Sequence, residues 1–294
     1  MRGLARHTLR RTTGFIAGAL ALSLGTLNAQ TFTTIDVPSA VSTTASGINN
    51  RGSITGWYRG ADGRDHGFLL PGVSLPGARF VTIDPPGSTN TRAFGINARG
   101  DVVGFYADAQ GVNHAFLFRH GQFRTIDAPN AESTAALGIN ACGDIVGQLD
   151  DGMEEHAFLL RDGEFTTIEA PEGETPAANG INAEGDIVGR FISGTPAVSR
   201  GFLLSDDQFT PIEFPGATFT TAVGINSVGE IVGRYILEGA SHGFLRNSRG
   251  ELTVIDVPGA TFTSARGINC WGDVVGEYRD TAGRVHGFVL QRRR

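Results

Sequence analysis

Residues 138–148 of the chain read GINACGDIVGQ, and residues 156–169 read HAFLLRDGEFTTIE. Versions of both phrases recur along the chain, and the triplet Gly-Ile-Asn occurs six times at intervals of 42 to 48 residues. The triplets begin at Gly47, Gly95, Gly138, Gly180, Gly224 and Gly267. A period of this length is typical of an array or a ring of small supersecondary units.

Each copy of the repeat predicts four antiparallel strands. In the second copy, residues 97–100 read NARG, and an Asn start with a Gly end suits a tight hairpin between the first two strands. The second strand, residues 101–106 (DVVGFY), is rich in β-branched and aromatic residues. Residues 114–117 (HAFL) and 123–127 (FRTID) then predict a third and a fourth strand around a glycine-containing turn.

The two ends of the chain are offset by one strand. The sixth copy ends after residues 286–290 (HGFVL) without a fourth strand, whereas residues 32–36 (FTTID) precede the first copy. We therefore predict an all-β fold over residues 30–290, a six-bladed β-propeller of four-stranded antiparallel blades, closed by the N-terminal strand completing the last blade. Residues 291–294 form a basic C-terminal tail. An open β-array is the alternative, and it would need polar caps at its ends.

The repeated phrases GINARGDVVGFY, HAFLF and RTIDAP resemble those of the HAF-type extracellular repeat proteins of bacteria. The resemblance covers all six copies, from about residue 31 to residue 290. It implies a secreted or surface-associated protein that is propeller-like, and it implies no particular activity, substrate or catalytic residue.

The N-terminus, residues 1–29, predicts a signal peptide. Four arginines precede an apolar run from Phe15 to Leu24, and Ala29 ends a plausible cleavage site. The run is too short to span a bilayer, so we expect no transmembrane segment in the mature chain. The pair Arg10-Arg11 also permits a twin-arginine signal, although ordinary signals often carry such pairs. Either route predicts a secreted or periplasmic protein.

Composition excludes some functions. The chain of 294 residues contains no lysine, which rules out an amine nucleophile or a Schiff base. Without the four arginines of the signal, its 30 acidic residues clearly outnumber the basic ones, which argues against nucleic acid as a partner. We expect a monomer that binds an unknown protein or glycan.

A histidine begins the third strand in five of the copies. In the third copy, a turn at Asp162-Gly163 sets an antiparallel register that places His156 opposite Glu169. The same register pairs His114 with Asp127 and Arg200 with Glu213. Longer turns permit His66 with Asp84 and His242 with Asp256, and the closing strand would pair His286 with Asp36, so that six pairs of a cation donor and a carboxylate are predicted.

These pairs could be interpreted as acid/base dyads, because an aspartate that orients a histidine is part of a catalytic triad. A structural lock, repeated in every blade, is the interpretation we prefer, since catalysis needs one site. Histidines on separate blades are also too far apart to share a metal ion. We identify no catalytic motif and expect no metal or cofactor. Cys142 and Cys270 lie in facing copies, so we expect free thiols or an intermolecular bond.

The copies differ most just before each Gly-Ile-Asn triplet. With the aromatic residues at the end of the second strand, these positions form a candidate ligand rim, although packing variation between blades is an alternative explanation. The rim comprises Phe94, Asn179, Arg266, Trp57, Tyr58, Tyr106, Tyr235 and Tyr278. We predict a non-enzymatic binding or interaction module for an extracellular or periplasmic protein or glycan. The alternative is a hydrolase or lyase with its active site at the top of the channel.

Overall fold

The structure is a computed structural model that describes residues 31–72, 79–171, 174–193 and 198–292. The predicted signal peptide, residues 1–29, lies outside the described residues, as do the last two residues of the basic tail. Twenty-four strands make up the regular structure of the described segments, so the predicted all-β class is confirmed.

The strands follow one another in sets of four that match the sequence copies, and we call these sets units 1 to 6. Units 1 to 3 are separate antiparallel sheets of four strands. Their strands are β2 (Ser42–Ile48), β3 (Ile54–Arg59), β4 (Asp65–Leu70) and β5 (Val81–Thr82); β6 (Asn90–Ile96), β7 (Val102–Ala107), β8 (Asn113–Arg119) and β9 (Gln122–Thr125); and β10 (Ser133–Ile139), β11 (Ile145–Asp150), β12 (Glu155–Arg161) and β13 (Glu164–Ile168).

The remaining twelve strands belong to one mixed sheet. They are β14 (Thr175–Ile181), β15 (Ile187–Ser193), β16 (Val198–Ser205) and β17 (Gln208–Ile212) of unit 4; β18 (Phe219–Ile225), β19 (Ile231–Leu237), β20 (Ala240–Arg246) and β21 (Leu252–Ile255) of unit 5; and β22 (Phe262–Ile268), β23 (Val274–Arg279), β24 (Val285–Gln291) and β1 (Thr31–Ile35) of unit 6. Within this sheet, units 4, 5 and 6 are antiparallel, and single parallel residue pairs connect them, Ser199 with Phe219 and Ser241 with Phe262.

Strand β1 pairs with β24, although the two strands lie at opposite ends of the chain. The pairing is antiparallel, with Thr31 opposite Gln291 and Ile35 opposite Gly287. The ring of Phe32 packs edge-on against that of Phe288, with their centroids 5.6 Å apart. The N-terminal strand therefore supplies the fourth strand that the sixth copy lacks.

One phenylalanine in the third strand of every unit is completely buried and forms the centre of the packing between units. These residues are Phe68, Phe116, Phe158, Phe202, Phe244 and Phe288. Each ring packs on a second-strand glycine: a Cβ added to Gly104 would lie 2.1 Å from the Arg92 carbonyl oxygen and 2.9 Å from the Phe116 ring. The repeated glycine is needed because no side chain fits between the first strand and this ring.

Candidate functional site

The glycines of the Gly-Ile-Asn triplets bring the first strands of neighbouring units into contact. A Cβ added to Gly47 would lie 2.4 Å from the carbonyl oxygen of Phe94 in unit 2. The same approach links unit 6 to unit 1, where a Cβ on Gly267 would lie 2.6 Å from the Ser46 carbonyl oxygen. Since any larger residue would push these backbones apart, the glycine allows the first strands to gather closely.

The isoleucines of the triplets separate two cavities. All six are at least nine-tenths buried, and all six line both a cavity of about 330 Å³ and a smaller one of about 120 Å³. They are Ile48, Ile96, Ile139, Ile181, Ile225 and Ile268. The isoleucines thus form an apolar floor with the larger cavity on one side and the asparagine hairpins on the other.

The triplet asparagines lie under this floor and connect the units through hydrogen bonds. Asn49 Nδ2 donates to the carbonyl oxygen of Asn97 at 3.1 Å, and Asn97 Nδ2 donates to that of Asn140 at 3.2 Å. Each asparagine also binds its own hairpin: Asn97 Oδ1 accepts from the backbone N–H groups of Arg99 and Asp101. One side chain therefore stabilises both the turn and the contact with the next unit.

The larger cavity collects the positions at which the copies differ most. The residue before each triplet glycine lines it in every unit: Ser46, Phe94, Leu137, Asn179, Val223 and Arg266. The structure therefore brings together three residues of the predicted rim, Phe94, Asn179 and Arg266. The six variable side chains surround a single space.

A second variable position lines the same space in three of the units, and the predicted rim included this position only as Trp57. It follows the second-strand glycine and is occupied by Trp57, Phe105, Gln148, Arg190, Arg234 and Glu277. Arg190, Arg234 and Glu277 line the cavity. Two features of the sequence indicate these residues. Otherwise uniform copies vary at this position, and alternation along the strand turns the position inward.

The four tyrosines predicted at the rim lie elsewhere, and that part of the prediction is corrected. Each is the next residue along the strand, so its side chain points to the opposite face. Tyr58 stacks on His66 with ring centroids 5.2 Å apart, and its hydroxyl is 3.1 Å from Thr82 Oγ1. Tyr106, Tyr235 and Tyr278 stack in the same way on His114, His242 and His286.

Aromatic rings form the side of the cavity contributed by units 1 and 2. Trp57 and Phe94 have ring centroids 5.1 Å apart, and Phe94 stacks on Phe105 at 5.7 Å. The guanidinium of Arg266 lies 5.1 Å from the Trp57 ring centroid, in the geometry of a cation–π contact. Phe94 lines the cavity directly, and Trp57 and Phe105 support it from either side.

Glu277 carries the negative charge of the site. Its Oε1 accepts from Arg266 at 2.6 Å, and its Oε2 accepts from the Thr44 hydroxyl at 2.7 Å. Burial favours the neutral acid, but the charge of Arg266 and these hydrogen bonds outweigh burial and lower the pKa of Glu277. The residue is therefore a bound carboxylate whose two oxygens are both engaged.

Arg190 and Arg234 are the remaining charged groups of the cavity, and neither forms an ion pair in the part of the chain that the structure describes. The guanidinium of Arg234 lies 4.6 Å from the Phe219 ring centroid. Its pKa is lowered, chiefly by burial and next by the like charge of Arg266. Arg190 Nε and Ser46 Oγ are buried without a hydrogen-bond partner among the described residues.

The predicted donor–carboxylate pairs lie away from this cavity. Four of them are hydrogen-bonded through His Nδ1, at distances between 2.7 and 2.9 Å: His66 with Asp84, His114 with Asp127, His242 with Asp256, and His286 with Asp36. In three of these units a second aspartate, Asp62, Asp108 or Asp280, lies 3.2 to 3.4 Å from Nε2 of the same histidine.

Of the other two pairs, one differs from the prediction and one forms together with a second carboxylate. His156 is hydrogen-bonded to Asp151 at 3.3 Å. Although His156 and Glu169 are both described by the structure, they are not hydrogen-bonded to each other. Arg200 forms the predicted ion pair with Glu213 at 3.9 Å, and it also forms a closer hydrogen-bonded ion pair with Glu174. Register places Glu169 and Glu213 correctly, but a long side chain can reach a carboxylate that register does not specify.

The other chemical groups of the described chain are few. Cys142 and Cys270 are both free thiols. In the described ranges, no three His, Cys, Asp or Glu side chains are arranged to hold a metal ion. Of the described residues, none belongs to a helix long and apolar enough to cross a membrane.

The chain is similar to solved β-propellers. It aligns with the β-propeller domain of the Trilobed protease from Pyrococcus furiosus at a TM-score of 0.52 and 12% identity, covering 86% of this chain and 96% of that one. It aligns with a mutant of the Aleuria aurantia lectin, solved in complex with Fucα1-6GlcNAc, at a TM-score of 0.51 and 12% identity. This alignment covers 85% of this chain and 91% of that one. It aligns with TolB from Acinetobacter baumannii at a TM-score of 0.51 and 9% identity, covering 87% of this chain and 65% of that one.

No protein-family model matches the chain, and no curated protein matches it either. The sequence identities to the solved structures are low, so the similarity concerns the fold alone. The fold is that of a β-propeller.

Proposed function

We propose that the chain is an exported, closed six-bladed β-propeller that acts as a non-enzymatic binding module, with its ligand site in the larger central cavity. The ligand is an extracellular or periplasmic protein or glycan. In this proposal each unit is one blade, and β1 completes the sixth blade as its outermost strand.

The contacts between units support the closed ring. Each triplet glycine approaches the backbone of the next unit, and the series runs from unit 1 to unit 6 and back to unit 1. The pairing of β1 with β24 joins the two ends of the chain by backbone hydrogen bonds within the same unit. An open array would leave its first and last units without such neighbours.

The observation that carries the binding proposal is the convergence of the variable positions. Six nearly uniform copies differ most before the triplet glycine and after the second-strand glycine; the first position lines the cavity of about 330 Å³ in all six units, and the second lines it in units 4, 5 and 6. This volume lies at the lower end of the range of small-molecule sites, about 300–1,000 Å³. A site of this size accommodates a small ligand or the end of a larger one.

The state of Glu277 favours binding over the alternative of a hydrolase or lyase. A general acid must carry a proton, whereas Arg266 holds Glu277 as a carboxylate with a lowered pKa; a general base or nucleophile needs a free oxygen, whereas Arg266 and Thr44 engage both oxygens of Glu277. The structural role is the better explanation for the histidine–aspartate pairs too, because they repeat in several units and lie outside the cavity lining.

Export is proposed from the N-terminal sequence, where arginines precede an apolar run that ends in a plausible cleavage site. The resemblance to HAF-type extracellular repeats supports the same location. The cavity needs a single chain, so the proposed protein acts as a monomer.

The experiment is a binding screen of the purified protein on a glycan array and a peptide library, followed by two arginine variants. Leu137→Arg fills the cavity with a residue that unit 6 carries at the same position, Arg266. Cys142→Arg is the matched control, because unit 2 carries Arg99 there and the position is exposed, next to the smaller cavity. We expect Leu137→Arg to weaken binding at least tenfold and Cys142→Arg to leave it unchanged.

Equal binding by both variants would place the ligand outside the cavity and contradict the proposal. The enzymatic alternative is tested on the same preparation with a broad panel of hydrolase and lyase substrates. Turnover that is lost in Glu277→Gln would contradict a role in binding alone.

A further inference from the structure

We infer that the larger cavity binds a small organic acid in which a carboxylate is attached to a ring, such as a uronic acid at the end of a glycan. Arg190 and Arg234 receive the carboxylate, and Phe94 receives the flat face of the ring. This inference rests on the proposed binding function and names the chemical class of its ligand.

The first support is the charge of the cavity. Three arginines, Arg190, Arg234 and Arg266, line it against one carboxylate, Glu277, although the whole chain is acidic with a net charge of −6. Arg266 and Glu277 neutralise each other at 2.6 Å. The cavity therefore keeps two positive charges that the described residues leave unpaired, within a negatively charged protein.

The second support is the free-energy cost of leaving charged and polar groups in the cavity without partners. Arg190 and Arg234 are partly buried, and removing a charge from water without an ion partner costs free energy. Buried polar atoms are nearly always hydrogen-bonded. Arg190 Nε and Ser46 Oγ are both buried without a partner in the described chain, and Ser46 is only 8% exposed. An anion that accepts from these donors would satisfy them, and the planar guanidinium fits a carboxylate through two parallel hydrogen bonds.

The third support is that the cavity is asymmetric. In the proposed ring, unit 2 faces unit 5 and unit 1 faces unit 4, so Phe94 and Trp57 lie across from Arg234 and Arg190. An aromatic wall opposite two guanidinium groups fits a ligand with an apolar ring face and an acidic substituent. Inorganic anions would use the arginines but leave the rings without contact.

Tryptophan fluorescence provides the assay. The chain has two tryptophans, and Trp271 is half exposed in the hairpin after Asn269, next to the smaller cavity. A Trp271→Phe background leaves Trp57, beside the larger cavity, as the reporter. The probes are glucuronate, its uncharged methyl ester, glucose, benzoate and inorganic sulfate, each titrated into the millimolar range.

We expect glucuronate or benzoate to bind at least tenfold more tightly than the methyl ester, glucose and sulfate. Comparing an acid with its ester tests the charge on an unchanged protein. Arg190→Gln and Arg234→Gln should each reduce the affinity for the acid about tenfold or more, whereas Arg249→Gln, at an exposed hairpin in unit 5, should not. Thermal unfolding of each variant verifies that it is folded.

Glucuronate binding without benzoate binding identifies the ligand as an acidic sugar, and the reverse identifies an aromatic acid. Binding of glucose or the ester as tight as that of glucuronate, and lost in Leu137→Arg, would overturn the inference while the binding function stands. The inference is also overturned if no carboxylate binds at millimolar concentration. A carboxylate that binds Arg190→Gln, Arg234→Gln and Leu137→Arg all as well as the parent protein would contradict both the inference and the proposed function.

Discussion

Asn269 and Asn49 connect the last unit of the chain to the first: the side-chain amide of Asn269 donates to the backbone carbonyl oxygen of Asn49 at 3.4 Å. The two residues are 220 positions apart. Asn269 also donates to Asp273 Oδ2, and its Oδ1 accepts from the backbone N–H groups of Trp271 and Asp273. One buried side chain thus makes a turn and a contact between units.

Asn269→Ala should destabilise the protein by about 2–4 kcal/mol. The variant leaves the backbone N–H of the buried Asp273 without its partner, at about 1–3 kcal/mol for an unsatisfied group, and it removes the bond to Asn49, whose carbonyl oxygen keeps its bond from Gly52. Urea unfolding measures the change. Asn247→Ala is the matched control, because Asn247 makes the same turn with Arg249 and Glu251 in an exposed outer hairpin. Water replaces its bonds, so a loss equal to that of Asn269→Ala would contradict the role of the contact between units.

The interaction between His66 and Asp84 should make the protein less stable as the pH rises. Burial alone would lower the pKa of His66, but hydrogen bonds and charge from Asp84 and Asp62 raise it above its usual value of 6.5. Because the folded-state pKa is the higher one, the stabilisation is complete below about pH 6.5 and is lost as the pH rises through the folded-state pKa.

Asp84→Asn should lower the pKa of His66, measured by NMR titration. It should also remove a pH-dependent stability on the order of 0.5–1 kcal/mol, which the parent protein loses as the pH rises above about 6.5. His120→Asn is the control at an exposed turn with φ of 52°, where asparagine is well tolerated. An unchanged His66 pKa in Asp84→Asn would contradict the account of this pair.

Glu174 should matter more than Glu213 for the position of Arg200. Glu174 is hydrogen-bonded to Arg200 and is 10% exposed, whereas Glu213 is 3.9 Å away and 56% exposed. We expect Glu174→Gln to cost about 1–2 kcal/mol, since it weakens a charged hydrogen bond, and Glu213→Gln less than about 0.5 kcal/mol. Chemical denaturation of both variants measures the difference. A larger loss for Glu213→Gln would make Glu213, and not Glu174, the main partner of Arg200 and contradict this prediction.

Much of the architecture could be predicted from the sequence because the repeat is regular. The turn at His120-Gly121 sets the register of β8 and β9, and that register is enough to place His114 across from Asp127, where the two are hydrogen-bonded. Register does not decide which carboxylate a long side chain selects. Glu174 lies in the connection before β14, and no strand pairing specifies its contact with Arg200.

The cavity was only partly predictable. The variable residue before each triplet glycine correctly indicates the cavity. The tyrosines are predicted at the rim from their aromatic character alone, without regard to the face of the strand on which they lie. Alternation along the second strand explains the correction: Trp57 points inward, and Tyr58 points toward His66. The same alternation places Arg190 and Arg234 on the cavity side of their strands. Their charge and variability alone do not indicate this position.

The most direct test of the closed ring is a disulfide between its two ends. Thr31 and Gln291 are Cα partners in β1 and β24, and directly opposite residues in antiparallel strands are about 4.5–5.5 Å apart, within disulfide range. In a protein with Cys142→Ser and Cys270→Ser, we expect Thr31→Cys and Gln291→Cys to form an intramolecular bond on mild oxidation, detected by mass spectrometry. Thr31→Cys combined with Thr281→Cys, in the loop before β24, should form none. Absence of the bond in the monomer with the first pair would contradict the ring and the shared cavity that it encloses.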